Sequence, residues 1–230
     1  MRVQYLHRWD VTYKEAVAIQ EELRAKLILD DRDVPEEIRT IAGSDISYSK
    51  HNSLFFAAVV LLDYRSMNVI EETSVIENVP FPYIPGLLSF REGPAILKSF
   101  ERLCNVPDAV IIDGQGISHP RGIGLASHLG LLIDVPTIGC AKKRLVGTHG
   151  DVGHEVGDFT DLILDSRIVG AAVRTKKKVK PVFISPGHKI STTKAVRVVL
   201  SCCRGYRLPE PVRLAHLTVN RLRSKFLSSC

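Results

Sequence analysis

Between residues 110 and 119 the chain reads VIIDGQGISH: an apolar, β-branched run ends in Asp113 and gives way at once to a loop of Gly, Gln, Ser and His. A short continuous apolar run suits a strand buried on both faces. The carboxylate stands where that strand opens into a loop, which is where sheets flanked by helices usually place chemistry. The pattern recurs. Asp45 sits in the β-like run IAGSDIS, and Glu92 follows a loop rich in Pro and Gly near the start of a helix. Carboxylates that converge from separate elements supply the oxygen ligands that a hard divalent cation such as Mg²⁺ requires. Taken singly, each acid reads as a solvated strand end or a helix cap, so the inference rests on the set.

The elements that must position these acids follow from the pattern. Thr12 and Glu15 form a capping box that opens an amphipathic helix to about residue 29. Strand-like runs at 39–48, 54–63 and 67–77 come in close succession, as in an antiparallel meander. The loop NVPFPYIPG follows, and Ser89 with Glu92 reads as a second capping box, with Pro94 in the first turn of a helix to about 103. A strand at 108–113, a helix at 122–133, strands near 136–139, 168–174 and 181–185, and helices near 192–203 and 211–226 complete the series. This order predicts an α/β fold, a mixed sheet flanked by helices in the ribonuclease-H-like arrangement, with residues 1–230 as a single domain. In that arrangement Asp45 and Asp113 lie on neighbouring strands, about 4.8 Å apart, a separation that one ion can bridge.

Charge and composition narrow the partner. The net charge is 31 − 25 = +6, and residues 166–209 carry eleven Lys or Arg (Arg167, Arg174, Lys176, Lys177, Lys178, Lys180, Lys189, Lys194, Arg197, Arg204 and Arg207) without one Asp or Glu. A run of one sign is the footprint of a polyanion, because each cation placed on a phosphate releases a condensed counterion. No stretch reaches the roughly 18 apolar residues of a membrane span, and the N-terminus has no apolar signal core, so a cytoplasmic protein is expected. Five cysteines, odd in number and without a C-x-x-C pair, support neither a disulfide framework nor a zinc site.

The segments IAGSDISY, VPFPYIPGLLSFREGPAIL, VIIDGQGISHPRGIGLASHLG, VPTIGCAKKRL and FISPGHKIS, in that order and spacing, resemble the endonuclease V family of repair nucleases, which act at deaminated purines. The resemblance spans nearly the whole chain. It implies that Asp45, Glu92, Asp113 and His216 are metal ligands for Mg²⁺, with Mn²⁺ as a substitute, and that Lys142, beside Lys143, serves near the scissile phosphate. Such ions can generate hydroxide from water and stabilise the leaving oxygen. For Glu92 the metal role and the capping box are geometrically exclusive, and a helix histidine held by packing is the plain alternative for His216. Tyr83, with Pro82, Ile84 and Pro85, matches the wedge that separates a base from its stack. Proline lowers the entropy lost in holding an aromatic there, and a core tyrosine is the alternative.

Gly86, Leu88, Gly114, Gly116 and Gly124 match the pocket for the flipped base. Hypoxanthine offers O6 as an acceptor and N1–H as a donor, whereas adenine reverses both, and backbone groups exposed by glycine could read that difference. His119, Arg121 and His188 match positions expected to contact phosphate, His188 equally a structural one. The resemblance implies cleavage of the second phosphodiester 3′ to the lesion, leaving 3′-hydroxyl and 5′-phosphate ends, by a monomer acting on DNA. Inosine-containing RNA is the alternative substrate, and the length without appended basic insertions favours DNA. Another ribonuclease-H-like enzyme, such as a junction resolvase, would share the acids without the Tyr83 loop. A non-catalytic nucleic-acid-binding module would leave three acids beside a polyanion unexplained.

Overall fold

The computed structural model describes residues 1–49 and 54–228; Cys230 lies outside them. Helix α1 spans Tyr13–Arg24, followed by strands β1 (Thr40–Tyr48), β2 (Leu54–Asp63) and β3 (Val69–Asn78). Then come α2 (Leu88–Glu101), β4 (Ala109–Ile112), α3 (Leu125–Ile133) and β5 (Thr137–Ala141). The remainder is β6 (Phe159–Leu164), β7 (Arg167–Val173), β8 (Val182–His188), α4 (Thr192–Ser201) and α5 (Glu210–Ser228). One eight-stranded sheet runs β3-β2-β1-β4-β5-β8-β7-β6. The meander β1-β2-β3 is antiparallel, while β4 lies parallel to β1 and β5 parallel to β4. This is the expected α/β fold with its ribonuclease-H-like centre.

Side-chain alternation sorts the core into two layers. Ile41, Val60, Ile111, Ile138 and Ile184 meet Val196 and Val199 of α4 and Val212 and Ala215 of α5. On the other face Ala42, Val59, Val110 and Ile112 meet Ile96, Leu97 and Phe100 of α2 and Leu129 and Leu132 of α3. Helices on both faces explain why β2, LFFAAVVLLD, is buried along nearly its whole length. Residue 43 must be glycine for α5 to lie where it does: a Cβ there would stand 2.1 Å from the carbonyl carbon of Pro211.

The Thr12–Glu15 capping box is formed, but α1 ends five residues sooner than expected. The second capping box is not formed. Helix α2 starts at Leu88 behind the proline loop, with Leu87 at the cap and no side-chain bond there, which leaves Ser89 and Glu92 for other partners. Helix α3 begins at Leu125, not at residue 122, because Gly122 has φ of 68° and Gly124 is extended. Strand β6 was not expected. It is the sheet edge and mostly exposed, so it lacks the apolar alternation that marks a half-buried strand. Among the described residues no helix is long and apolar enough to cross a membrane.

Candidate active site

Asp45 and Asp113 meet as the register requires. Ser44 pairs with Ile112 across the parallel β1–β4 ladder, so the next residues of the two strands stand side by side at its open end. Both belong to the face that carries Ile41 and Ile111, the face covered by α5. From α5, His216 Nδ1 lies 2.6 Å from Asp45 Oδ2, while Asn220 Nδ2 lies 3.0 Å from Nε2. An amide NH₂ only donates, so Nε2 accepts and Nδ1–H points at the carboxylate. Lys142, the first residue after β5, places its ammonium on Asp113 Oδ2. Desolvation acts against that charge, yet the attraction of Asp113 and their hydrogen bond leave the Lys142 pKa raised.

Glu92 approaches from α2. Desolvation, and then the charges of Asp45 and Asp113, push its carboxyl up to about 8. Asp45 is also raised, by desolvation and by Asp113, against the opposing bond to His216. Three carboxyls brought together, two of them hindered in ionisation by burial and by their neighbours' charge, with one ammonium among them, form a donor set suited to a hard cation. As the side chains stand, no group of three or more His, Cys, Asp or Glu among the described residues is gathered to grip an ion. Lys142 and His216 hold two of the acids instead.

Beside the acids lies a cavity of about 100 Å³ lined by Gln20, Tyr83, Ile84, Gly86, Leu88, Ser89, Gln115, His119, Gly124, Leu125 and Leu145. Its rim is the proline loop. Tyr83 is 68% exposed, which excludes the core-tyrosine alternative. The loop is tied from behind: Arg91 donates to the Phe81 carbonyl at 2.8 Å, Gln20 Nε2 to the Gly86 carbonyl at 3.1 Å, and Arg121 to that same carbonyl. Gly86 turns the chain into α2 with φ of 79°.

Several expected residues fall elsewhere. Gly114 and Gly116 do not line the cavity. Gly116 lets the loop pack against β8, where a Cβ would stand 2.1 Å from the Pro186 oxygen; its amide donates to Ser185 Oγ and its carbonyl accepts from Gly124. Arg121 donates through Nε to Gln20 and through Nη2 to the Gly86 carbonyl, so it braces the loop. His119 is buried at the cavity wall, and desolvation with the nearby Arg121 lowers it to about 4. His188 does not reach the site. It pairs with Thr137 at the end of β5 opposite Lys142, is 3% exposed, and accepts from the Ile28 amide.

The basic run is not one surface. Arg174 is engaged by the carbonyls of Val152, Gly153 and Val179, Arg204 by those of Arg65, Ser201 and Cys203, and Arg207 by those of Lys142, Lys180 and Pro181. Lys177 pairs with Glu155, and Lys189 with Asp134 and Asp33. Gln20, Gln115 and the pair His7–His128 carry more of the site's architecture than sequence reasoning assigned them, because each acts through a partner far away in the chain.

Acids at the open ends of neighbouring central strands, in this strand order, define the class of ribonuclease-H-like nucleases. The family profile of endonuclease V matches residues 21–217. The endonuclease V of Gloeobacter violaceus is 47% identical over 221 residues, covering 95% of this chain and 89% of that protein. The crystal structure of the Bacillus subtilis protein superposes with a TM-score of 0.95 at 31% identity, covering all of both chains. An endonuclease V of Ciona intestinalis, solved with a 24-mer DNA containing an inosine followed by a ribo-adenosine, gives a TM-score of 0.83 at 31% identity, covering 93% of this chain and 98% of that one. The chain belongs to the endonuclease V family and is a nuclease.

Proposed function

We propose that the protein is a cytoplasmic, monomeric, single-domain repair endonuclease. It opens DNA at the second phosphodiester 3′ to a deaminated purine, inosine above all, and leaves 3′-hydroxyl and 5′-phosphate ends. The observation that carries this reading is the juxtaposition of three carboxyls, Asp45, Glu92 and Asp113, the first two hindered in ionisation, with a small cavity under an exposed tyrosine. The DNA bound to the Ciona intestinalis relative favours inosine as the lesion.

Each residue then has a physical task. Asp45, Glu92 and Asp113, with His216, are the groups that would hold Mg²⁺, or Mn²⁺ in its place; the ion supplies Lewis acidity and an activated water when bound. His216 keeps Asp45 oriented through Nδ1–H. Lys142 brings an ammonium beside Asp113 to meet charge developing on the phosphate oxygens. In the reaction, water adds to phosphorus, the P–O3′ bond breaks, and O3′ leaves with the electron pair and takes a proton. Tyr83, stiffened by Pro82 and Pro85 and backed by Ile84, fills the space of the extruded base, which enters the cavity by Gly86, Leu88 and Gly124. An offset of the cut from the lesion is compatible with this arrangement, since wedge and acids need not serve the same phosphate.

Incubation with Mg²⁺ and matched DNA and RNA strands bearing one inosine, with the nick mapped on a denaturing gel, tests the reading. We expect a nick two phosphates 3′ of inosine in DNA with the base still attached. A free base, an abasic site or a cut directly beside inosine overturns it, and cleavage confined to RNA replaces the substrate.

A further inference from the structure

The cavity beside the acids has two polar side chains whose hydrogen-bonding sense is fixed by partners behind them. Ser89 is one. His7 Nδ1 lies 2.8 Å from the Arg8 carbonyl, which can only accept, so Nδ1 carries the proton and Nε2 is bare. His7 Nε2 lies 2.7 Å from His128 Nε2, which must therefore donate. His128 Nδ1 is then the bare nitrogen, and the Ser89 hydroxyl 2.8 Å away gives it its proton. Ser89 keeps only lone pairs for anything else. Burial and the neighbouring His7 lower His128 to about 3, so the pair stays neutral and the order of donors holds at neutral pH.

Gln115 is the other. Its Nε2 donates to the Lys143 carbonyl at 2.9 Å. Turning the amide over would set two oxygens against each other, so Oε1 is the atom left without a hydrogen bond, buried as the side chains stand in a residue that lines the cavity. A buried acceptor without a partner costs about 1–3 kcal/mol, which an arriving donor would recover. Meanwhile the glycine backbone in the cavity wall is already engaged: the Gly86 carbonyl by Gln20 and Arg121, the Gly124 amide by Gly116, and the Gly124 carbonyl by the His128 amide.

We propose that Ser89 and Gln115 are specificity residues that make the side-chain wall of this cavity accept and not donate hydrogen bonds, so that it selects the N1–H of a 6-oxopurine and rejects the N1 lone pair of adenine. His7 and His128 are positioning residues that act through Ser89. Guanine shares the N1–H, so this polarity separates hypoxanthine from adenine and not from guanine. The inference rests on the reading that an extruded deaminated purine occupies the cavity.

Its test begins with the unaltered protein in EDTA, binding strands that carry inosine, adenosine or 1-methylinosine, in which a methyl replaces N1–H. We expect inosine to bind about tenfold or more tightly than either of the others. In cleavage, Gln115→Met and Ser89→Ala should each lower the inosine-to-adenosine ratio of kcat/KM by about tenfold or more. Binding of 1-methylinosine as tight as inosine overturns the proposal without recourse to a variant. So do variants that keep the wild-type ratio, including variants that lose both substrates equally, as they would if Gln115 served only to place the Lys142 loop. An unaltered protein with no preference for inosine over adenosine overturns the underlying reading, and this proposal with it.

Discussion

Two polar clusters meet at the start of α2, one through Ser89 and the other through Glu92 a turn later, and differ in whether their members suit one another. In the histidine cluster every nitrogen of His7 and His128 has a partner, Trp9 stacks on His128 at 5.5 Å, and the chain of donors ends in Ser89. In the carboxyl cluster Asp113 raises the cost of ionising Asp45, and both acids raise that of Glu92, while His216 and Lys142 offset part of the burden on Asp45. The imidazoles of the first cluster are satisfied within the chain, although Trp9 Nε1 beside them has no hydrogen-bond partner among the described residues. The second is complete only with a cation. Polar groups that satisfy one another build a wall, and those that do not wait for a ligand.

The largest test of this contrast is removal of a carboxyl. Asp45→Ala and Asp113→Ala are each expected to lower kcat by about 10³-fold or more, while binding of uncut strands stays equal or tightens because repulsion of phosphate is relieved. Cleavage within a few-fold of wild type by either variant breaks the contrast. His128→Ala should do the reverse, costing about 2–4 kcal/mol in urea denaturation by opening a cavity and leaving Ser89 and His7 unpaired. A loss below about 0.5 kcal/mol would show that this cluster is no wall.

The pH dependence of stability sharpens the comparison, since the two clusters carry opposite signs. Glu92 is raised on folding from 4.5 to about 8, so its contribution is present at low pH and lost as pH rises toward 8 in cation-free buffer. His128 is lowered from 6.5 to about 3, so its contribution is present above pH 6.5 and lost as pH falls toward 3. Glu92→Gln should flatten the alkaline limb of thermal stability and His128→Phe the acid limb; a variant that flattens the opposite limb refutes the assignment. The smallest effect concerns salt. Exchanging an exposed cation such as Lys178 for Gln should reduce the slope of log affinity against log salt by up to about 0.9 if it meets a phosphate. Arg174→Gln should leave the slope alone and lower stability, because that guanidinium holds three carbonyls.

The Asp45–Asp113 pair was legible in the sequence because Asp113 ends an apolar run, Asp45 sits within a β-like one, and the order of a meander followed by a helix and a strand is that of a fold whose first and fourth strands are neighbours. Glu92 was ambiguous because a capping box is a local signature, whereas the start of α2 is set by the proline loop at Leu87. Neither the histidine chain nor the bond from Gln115 to Lys143 could be read: His7 and His128 are 121 residues apart, and no local pattern records such a meeting. The basic run misled for a related reason. Charge is visible in a sequence, but the carbonyl that captures a guanidinium is not.

The flat patch that Gly43 offers to α5 has a consequence in time. His216 reaches Asp45 only after α5 has docked against β1, across 171 residues of chain. A polypeptide emerging from the ribosome exposes Asp45, Glu92 and Asp113 well before α5 is available, and synthesis proceeds at about 5–20 residues per second. The set of groups around Asp45 is therefore assembled only when α5, the last element of the fold among the described residues, has docked.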